Sequence, residues 1–127
     1  MSSRSMISIV DDDQSAREGI TDLVTSMGYD AQAFERAGDF LKSPQLHRTH
    51  CLITDVRMPE MSGLELLERL AASGLSIPTI VITAFPLEND RLRANRSGVF
   101  CYLAKPFEES ELVECIRAAL AEARRRP

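Results

Sequence analysis

The chain has 127 residues, 44% hydrophobic and 27% charged, which supports one buried core and leaves no room for a second domain of ordinary size. Fifteen basic against nineteen acidic side chains leave a formal charge of −4, which argues against a surface built around phosphate backbones and against direct contact with nucleic acid. No apolar run approaches the roughly 18 residues of a membrane span, and Asp11, Asp12 and Asp13 cut off the first apolar stretch before a secretory leader can form, so a cytoplasmic chain is expected.

Short apolar runs alternate with longer stretches of helical period from end to end, the pattern of repeated strand-helix units. The first strand is predicted at Ile7 to Val10 and the first helix at Ser15 to Met27, with Ala16, Ile20, Leu23, Val24 and Met27 on one stripe and Gly28 as the stop. Ser15 with Glu18 forms one candidate cap for that helix. Asp13 is the other, and it reads as an N-cap rather than a metal ligand. A second strand, Ala31 to Phe34, leads into a short helix at Ala37 to Lys42 that must end before Pro44. In the following loop His47 and His50 read as surface residues, not metal ligands. The third strand is predicted at Cys51 to Thr54. The third helix, Gly63 to Ala72, takes Ser62 as its N-cap, uses Gly63 for the turn into it, and buries Leu66, Leu67 and Leu70.

The fourth strand is predicted at Thr79 to Thr83 and the fourth helix, the least apolar, at Leu87 to Ser97. Val99 to Leu103 form the fifth strand. The last helix, Glu109 to Arg125, carries Leu112, Val113, Ile116 and Leu120 on one stripe, with an acidic start at Glu108 and Glu109 and a basic end at Arg124 to Arg126 that complement its dipole. Most strands are continuous apolar runs, as expected where helices cover both faces of a parallel sheet. The expected class is therefore α/β, five strand-helix units in one doubly wound sheet. Cys51, Cys101 and Cys115, odd in number and set in apolar patterns, are expected to be buried reduced thiols.

Ligands of a doubly wound sheet gather beyond the carboxyl ends of its strands. Asp11 and Asp12 follow the first strand, Asp55 the third, Thr83 closes the fourth, and Lys105 lies just past the fifth. Three carboxylates on one rim repel each other, and a hard divalent cation together with an ammonium neutralises them. Oxygen donors without imidazole or thiolate point to Mg²⁺, or Mn²⁺ in its place. The same set suits the equatorial oxygens of a transferring phosphoryl group, for which a carboxylate is a competent nucleophile. Asp55 stands alone behind the apolar Leu52 and Ile53 and is the expected phosphoacceptor, whereas Asp11 and Asp12 form a pair suited to metal binding.

The segments Ile9 to Asp13, Thr54 to Gly63, Val81 to Ala84 and Tyr102 to Phe107, in that order, resemble the receiver domain of two-component response regulators over nearly the whole chain. The resemblance implies one domain, 1–127, with a core of about 6–123. Its fold would be a flavodoxin-like (βα)5 three-layer sandwich with a parallel sheet in the order 2-1-3-4-5. Arg57 to Gly63 is similar in style to receivers of nitrogen-fixation regulators. Asp55 would then take a phosphoryl group from the histidine of a sensor kinase or phosphotransfer protein. Asp12, Asp55 and the backbone carbonyl of Arg57 would ligate Mg²⁺, with Asp11 acting mainly through water. Thr83, Ala84 and Lys105 would hold phosphoryl oxygens, and the Lys105–Pro106 bond would be cis.

The resemblance also makes Tyr102 a switch aromatic that turns inward as Thr83 moves toward the phosphoryl group. The surface of the fourth helix, fifth strand and fifth helix would change with it, and a homodimer through that face is implied by the same analogy. Catalysis would be limited to the domain's own phosphorylation and dephosphorylation. Arg57 and Phe85 occupy positions that tune the phosphorylated lifetime, and a bulky Phe85 that keeps water out implies a long one. Phe85 to Arg91 departs from the usual small-residue loop, so the fourth helix is expected to start late or distorted. Two rival readings stand beside this one. A metal-dependent phosphohydrolase with an aspartyl intermediate would carry a second carboxylate where this chain has Arg57. A pseudo-receiver that only binds partners would not need the full set of Asp11, Asp12, Asp55, Thr83 and Lys105. Whether the domain stands alone or precedes a DNA-binding domain is open on this sequence.

Overall fold

The computed structural model describes residues 4–125; Arg126 of the expected basic helix end lies outside the described residues. In chain order the elements are β1 (Met6–Val10), α1 (Gln14–Ser26), β2 (Asp30–Phe34), α2 (Ala37–Lys42), a 3-10 turn (Pro44–Arg48), β3 (Cys51–Asp55), α3 (Gly63–Ala72), β4 (Thr79–Thr83), α4 (Glu88–Arg96), β5 (Cys101–Ala104) and α5 (Glu109–Arg125). All strand pairs are parallel, and the sheet order is β2-β1-β3-β4-β5, as the resemblance implies. The register sets Ile7 beside Cys51, Leu52 beside Thr79 and Ile80 beside Cys101, so the carboxyl ends of the three inner strands and β5 emerge together on one rim.

Helices cover both faces of the sheet. On one face Ile7, Ile9, Ile53, Ile80 and Ile82 pack with Ile20 and Val24 of α1 and Leu112, Ile116 and Leu120 of α5. Alternate residues point to the other face, where Val10 and Leu52 pack with Phe40 of α2 and Leu66 and Leu70 of α3. A smaller cluster there joins Val56 and Val81 to Leu64, Leu67 and Ala94 of α4.

The ends of the elements differ from the sequence pattern for local reasons. Asp13, not Ser15, caps α1: its carboxylate accepts the Ala16 amide at 2.9 Å, which places Ser15 inside the first turn. α1 stops as expected at Gly28, whose φ of 92° lets the Gly28 and Tyr29 amides return to Thr25 and Val24. The same closure at Gly98 commits the Val99 amide to Ala94 of α4, so β5 begins at Cys101 rather than Val99. α4 starts at Glu88, one residue later than predicted, with no side-chain cap from Leu87.

Between α2 and β3 the chain makes a 3-10 turn the sequence pattern did not announce, opened by Pro44 and by the Ser43 hydroxyl, which accepts the Gln45 amide. His50 is exposed, as expected, yet it is not idle. Its Nδ1 accepts the Met6 amide at 2.9 Å while its own amide donates to the Met6 carbonyl, pinning the start of β1. The three cysteines are free thiols, but only Cys51 is buried; Cys101 and Cys115 are half-buried, contrary to expectation. Burial pushes the Cys51 thiol up, and burial with a hydrogen bond to Cys115 pushes Cys101 up to about 12, so neither is a thiolate nucleophile at neutral pH.

Candidate functional site

The rim at the carboxyl ends of the strands gathers the residues that the sequence marks for chemistry. Asp11 directly follows β1 and is buried, its backbone amide donating to the Phe34 carbonyl and its own carbonyl accepting the Arg17 guanidinium at 2.8 Å. Its Oδ1 accepts the Asp13 amide at 2.9 Å, so the carboxylate has one fixed orientation. Asp12 is exposed beside it. Asp55, the last residue of β3, is half-buried, and its Oδ1 accepts the Val56 amide at 2.9 Å. Carboxylate oxygens of Asp11, Asp12 and Asp55 all lie within 4.8 Å of one another.

That crowding has an electrostatic consequence. Burial raises the Asp11 carboxyl above the usual carboxylate range, opposed by the Asp13 amide and the Lys105 charge. Burial and then the neighbouring Asp11 charge raise Asp55, again opposed by Lys105. The Lys105 charge therefore bears on both carboxylates, and its amide, which donates to the Thr83 carbonyl at 2.8 Å, ties the β5 end to the β4 end. The Lys105–Pro106 bond is cis, as implied. Thr83 is buried, and its hydroxyl accepts the Phe85 amide at 3.0 Å. Ala84 and Phe85 are exposed beside it. Three oxygen donors that share one space, without imidazole or thiolate, fit a hard divalent cation of the Mg²⁺ class.

Residues that the sequence reading undervalued complete the arrangement. A Cβ on Gly63 would sit 2.0 Å from the Asp55 backbone carbonyl oxygen, so glycine there serves the close approach of α3 to the acidic strand end. The turn is made by Ser62, whose hydroxyl caps α3 by accepting the Glu65 amide, and Gly63 belongs to the helix itself. Arg57, exposed, reaches out of the β3–α3 loop to Asp90 in the first turn of α4, 3.3 Å away. No sequence pattern marks Asp90, because its role depends on a contact 33 positions away in the chain. Tyr102 is half-buried on β5, packed against the small cluster under α4. Beside the rim, between α1 and the start of α5, lies a groove of about 590 Å³ lined by Ile20, Leu23, Phe107 and Leu112.

The position two residues after Asp55, where a phosphohydrolase would hold its general acid, carries a guanidinium paired to Asp90. The phosphohydrolase reading is therefore not favoured.

Comparison with known proteins agrees with this geometry. Residues 7–117 match the model of the response regulator receiver domain. Response regulator protein TodT of Pseudomonas putida is 41% identical over 116 residues, which cover 91% of this chain and 51% of TodT. The chain spans about half the length of the curated relatives it matches. Among solved structures, FixJ-N superposes with a TM-score of 0.84 at 33% identity, covering 95% of this chain and 96% of its own. A CheY-like receiver domain from Methanospirillum hungatei superposes with a TM-score of 0.90 at 25% identity, covering 97% and 98%. With all four marked strand ends on one rim and the family matched across the sheet, the chain belongs to the response regulator receiver domains of two-component systems.

Proposed function

We propose that Asp55 is the phosphoacceptor of this receiver, taking a phosphoryl group from a phosphohistidine of a sensor kinase or phosphotransfer partner. The observation that carries this reading is the meeting of Asp11, Asp12 and Asp55 within 4.8 Å beside Thr83 and Lys105. In the transfer the P–N bond to the donor imidazole breaks and a P–O bond to an Asp55 carboxylate oxygen forms, with the partner's imidazole as leaving group. Asp11, Asp12, Asp55 and the Arg57 carbonyl would hold Mg²⁺, which when bound supplies positive charge against the developing charge on the phosphoryl oxygens. Lys105 adds an ammonium whose charge bears on Asp11 and Asp55, and the Thr83 hydroxyl and Ala84 amide are the remaining donors for phosphoryl oxygens. The domain's catalysis extends only to its own phosphorylation and dephosphorylation. The receiver occupies the single domain 1–127, with its core at about 6–123, and acts in the cytoplasm.

The direct test is intact mass after incubation with Mg²⁺ and a small-molecule phosphodonor. One phosphoryl mass gained by the wild type and not by Asp55→Asn is expected. No gain from either a small donor or a phosphorylated kinase would turn the reading to a pseudo-receiver.

Phosphorylation would be read out on the α4–β5–α5 face. As Thr83 gives up the Phe85 amide for a phosphoryl oxygen, Tyr102 turns further inward under α4. The same face is the proposed homodimer surface, and sedimentation that shows a monomer both with and without phosphodonor would remove that part. Phe85, exposed at 61%, and Arg57 occupy the positions that tune the phosphorylated lifetime, and a bulky apolar Phe85 there would slow the attack of water. The phosphorylated half-life is therefore expected to shorten in Phe85→Glu, and an unchanged half-life would overturn the assignment.

A further inference from the structure

Among the described residues the Tyr102 hydroxyl oxygen is buried without a hydrogen-bond partner, a rare condition for a native polar group. Tyr102 packs with Val56, Leu64, Leu67, Val81 and Ala94 beneath α4. Asp90 lies one helical turn before Ala94, on the face of α4 that covers Tyr102; burial first, and then the Asp90 charge, raises the Tyr102 hydroxyl, with Arg57, Arg91 and Glu88 also acting on it. Arg91 and Glu88 already hold each other at 2.8 Å within the first turn of α4. Asp90 is different. Its side chain is only 20% exposed, and it pairs with a guanidinium that is 55% exposed and rooted two residues after Asp55. A buried donor lacking an acceptor thus lies on the same face of α4 as a half-buried acceptor whose charge is committed to a solvent-exposed partner at the site.

We propose that Arg57, Asp90 and Tyr102 form a relay: a phosphoryl group on Asp55 draws the Arg57 guanidinium off Asp90, and the freed carboxylate accepts the Tyr102 hydroxyl. The relay rests on the reading of Asp55 as phosphoacceptor. A phosphoryl group brings about −1.5 to −2 charges and three acceptor oxygens, and a guanidinium matches that geometry in a bidentate way. The pair it must leave is a single contact at 3.3 Å with its cation largely in solvent, an arrangement of small net strength. Asp90, left partly buried without its cation, gains most from a new donor, and a hydroxyl that donates to a carboxylate makes a charge-assisted hydrogen bond. The first turn of α4 is then tied to the β3–α3 loop in one state and to β5 in the other, two discrete arrangements selected by charge. Asp90 is a positioning residue for the switch; it does not touch the reacting atoms.

The composition offers a clean readout, because the chain has no tryptophan and two tyrosines, Tyr29 and Tyr102. In a Tyr29→Phe protein, Tyr102 is the sole long-wavelength emitter, and a phenol that donates to a carboxylate loses emission and shifts its absorption to the red. In that background Mg²⁺ with beryllium fluoride, a phosphoryl mimic, is expected to quench Tyr102. Arg57→Ala is expected to quench it with no mimic present, and Asp90→Asn to abolish the quenching in both cases. Emission retained in Arg57→Ala, or quenching that persists in Asp90→Asn, would overturn the relay. Intact mass after a small phosphodonor separates the two readings. Mass gained without quenching refutes the relay alone. Quenching in Arg57→Ala that depends on Asp90, in a protein that gains no mass, supports the relay contacts and refutes the phosphoacceptor.

Discussion

The two helices that flank β5 are held in opposite ways. α5, 17 residues long, buries Leu112, Ile116, Ala119 and Leu120 against the isoleucines of β1, β3 and β4. α4, 9 residues long, buries only Ala94, leaves Leu92 45% exposed, and begins without a side-chain cap. Its ties to the rest of the molecule include two ion pairs, Arg93 with Glu68 of α3 at 2.6 Å and Asp90 with Arg57 at 3.3 Å. Apolar burial is indifferent to a charge that arrives at the rim, whereas ion pairs are not. The contrast teaches which helix would answer if Asp55 takes up a phosphoryl charge as proposed: α4, whose anchors are electrostatic, rather than α5.

That contrast is open to a direct test by truncation. Ile116→Ala opens a cavity beneath α5 and is expected to cost about 2–5 kcal/mol. Gly63→Ala, which drives a methyl group into the Asp55 carbonyl, is expected to cost about 1–3 kcal/mol. Leu92→Ala on α4 should stay within about 0.5 kcal/mol of wild type. Urea unfolding of the three variants ranks them, and a Leu92→Ala loss as large as that of Ile116→Ala would erase the distinction between the two helices.

The smaller effect lies at the rim. Asp11 and Asp55 have carboxyl groups raised in the native state, so the native protein binds more protons than the unfolded chain between the ordinary and the raised values. Their contribution to stability is therefore fully present below the ordinary carboxylate value and is lost as pH rises through the raised one. Without metal, Asp55→Asn is expected to melt above wild type, by a margin that grows from about pH 4 to about pH 7. Mg²⁺ should raise the wild-type melting temperature at neutral pH and do less for the variant. Thermal melts across that range decide the matter, and a margin that shrinks with rising pH would contradict the crowded-carboxylate account.

Much of this molecule is legible without coordinates because its information is local. Apolar runs, continuous in most cases, marked the five strands, and β4, α2, α3 and α5 have the predicted bounds. The strand-end positions of Asp11, Asp12, Asp55, Thr83 and Lys105 follow from those runs, since every parallel strand delivers its carboxyl end to the same rim. The signals that failed were ones that depend on closure. The amide of Val99 could serve either a strand or the end of α4, and only the Gly98 turn decides for the helix. Gly63 looks like a turn glycine in sequence, and only the packing of α3 on β3 shows that the Asp55 carbonyl excludes a side chain there.

Sequence alone therefore determined the α/β class, the rim and its chemistry, because strand periodicity and carboxylate chemistry act over a few residues. Tertiary structure alone decided which charges meet across the rim, because the approach of Arg57 to Asp90 and the stranding of the Tyr102 hydroxyl depend on how α4 settles on the sheet. Such contacts join residues far apart in the chain, and no local pattern encodes them.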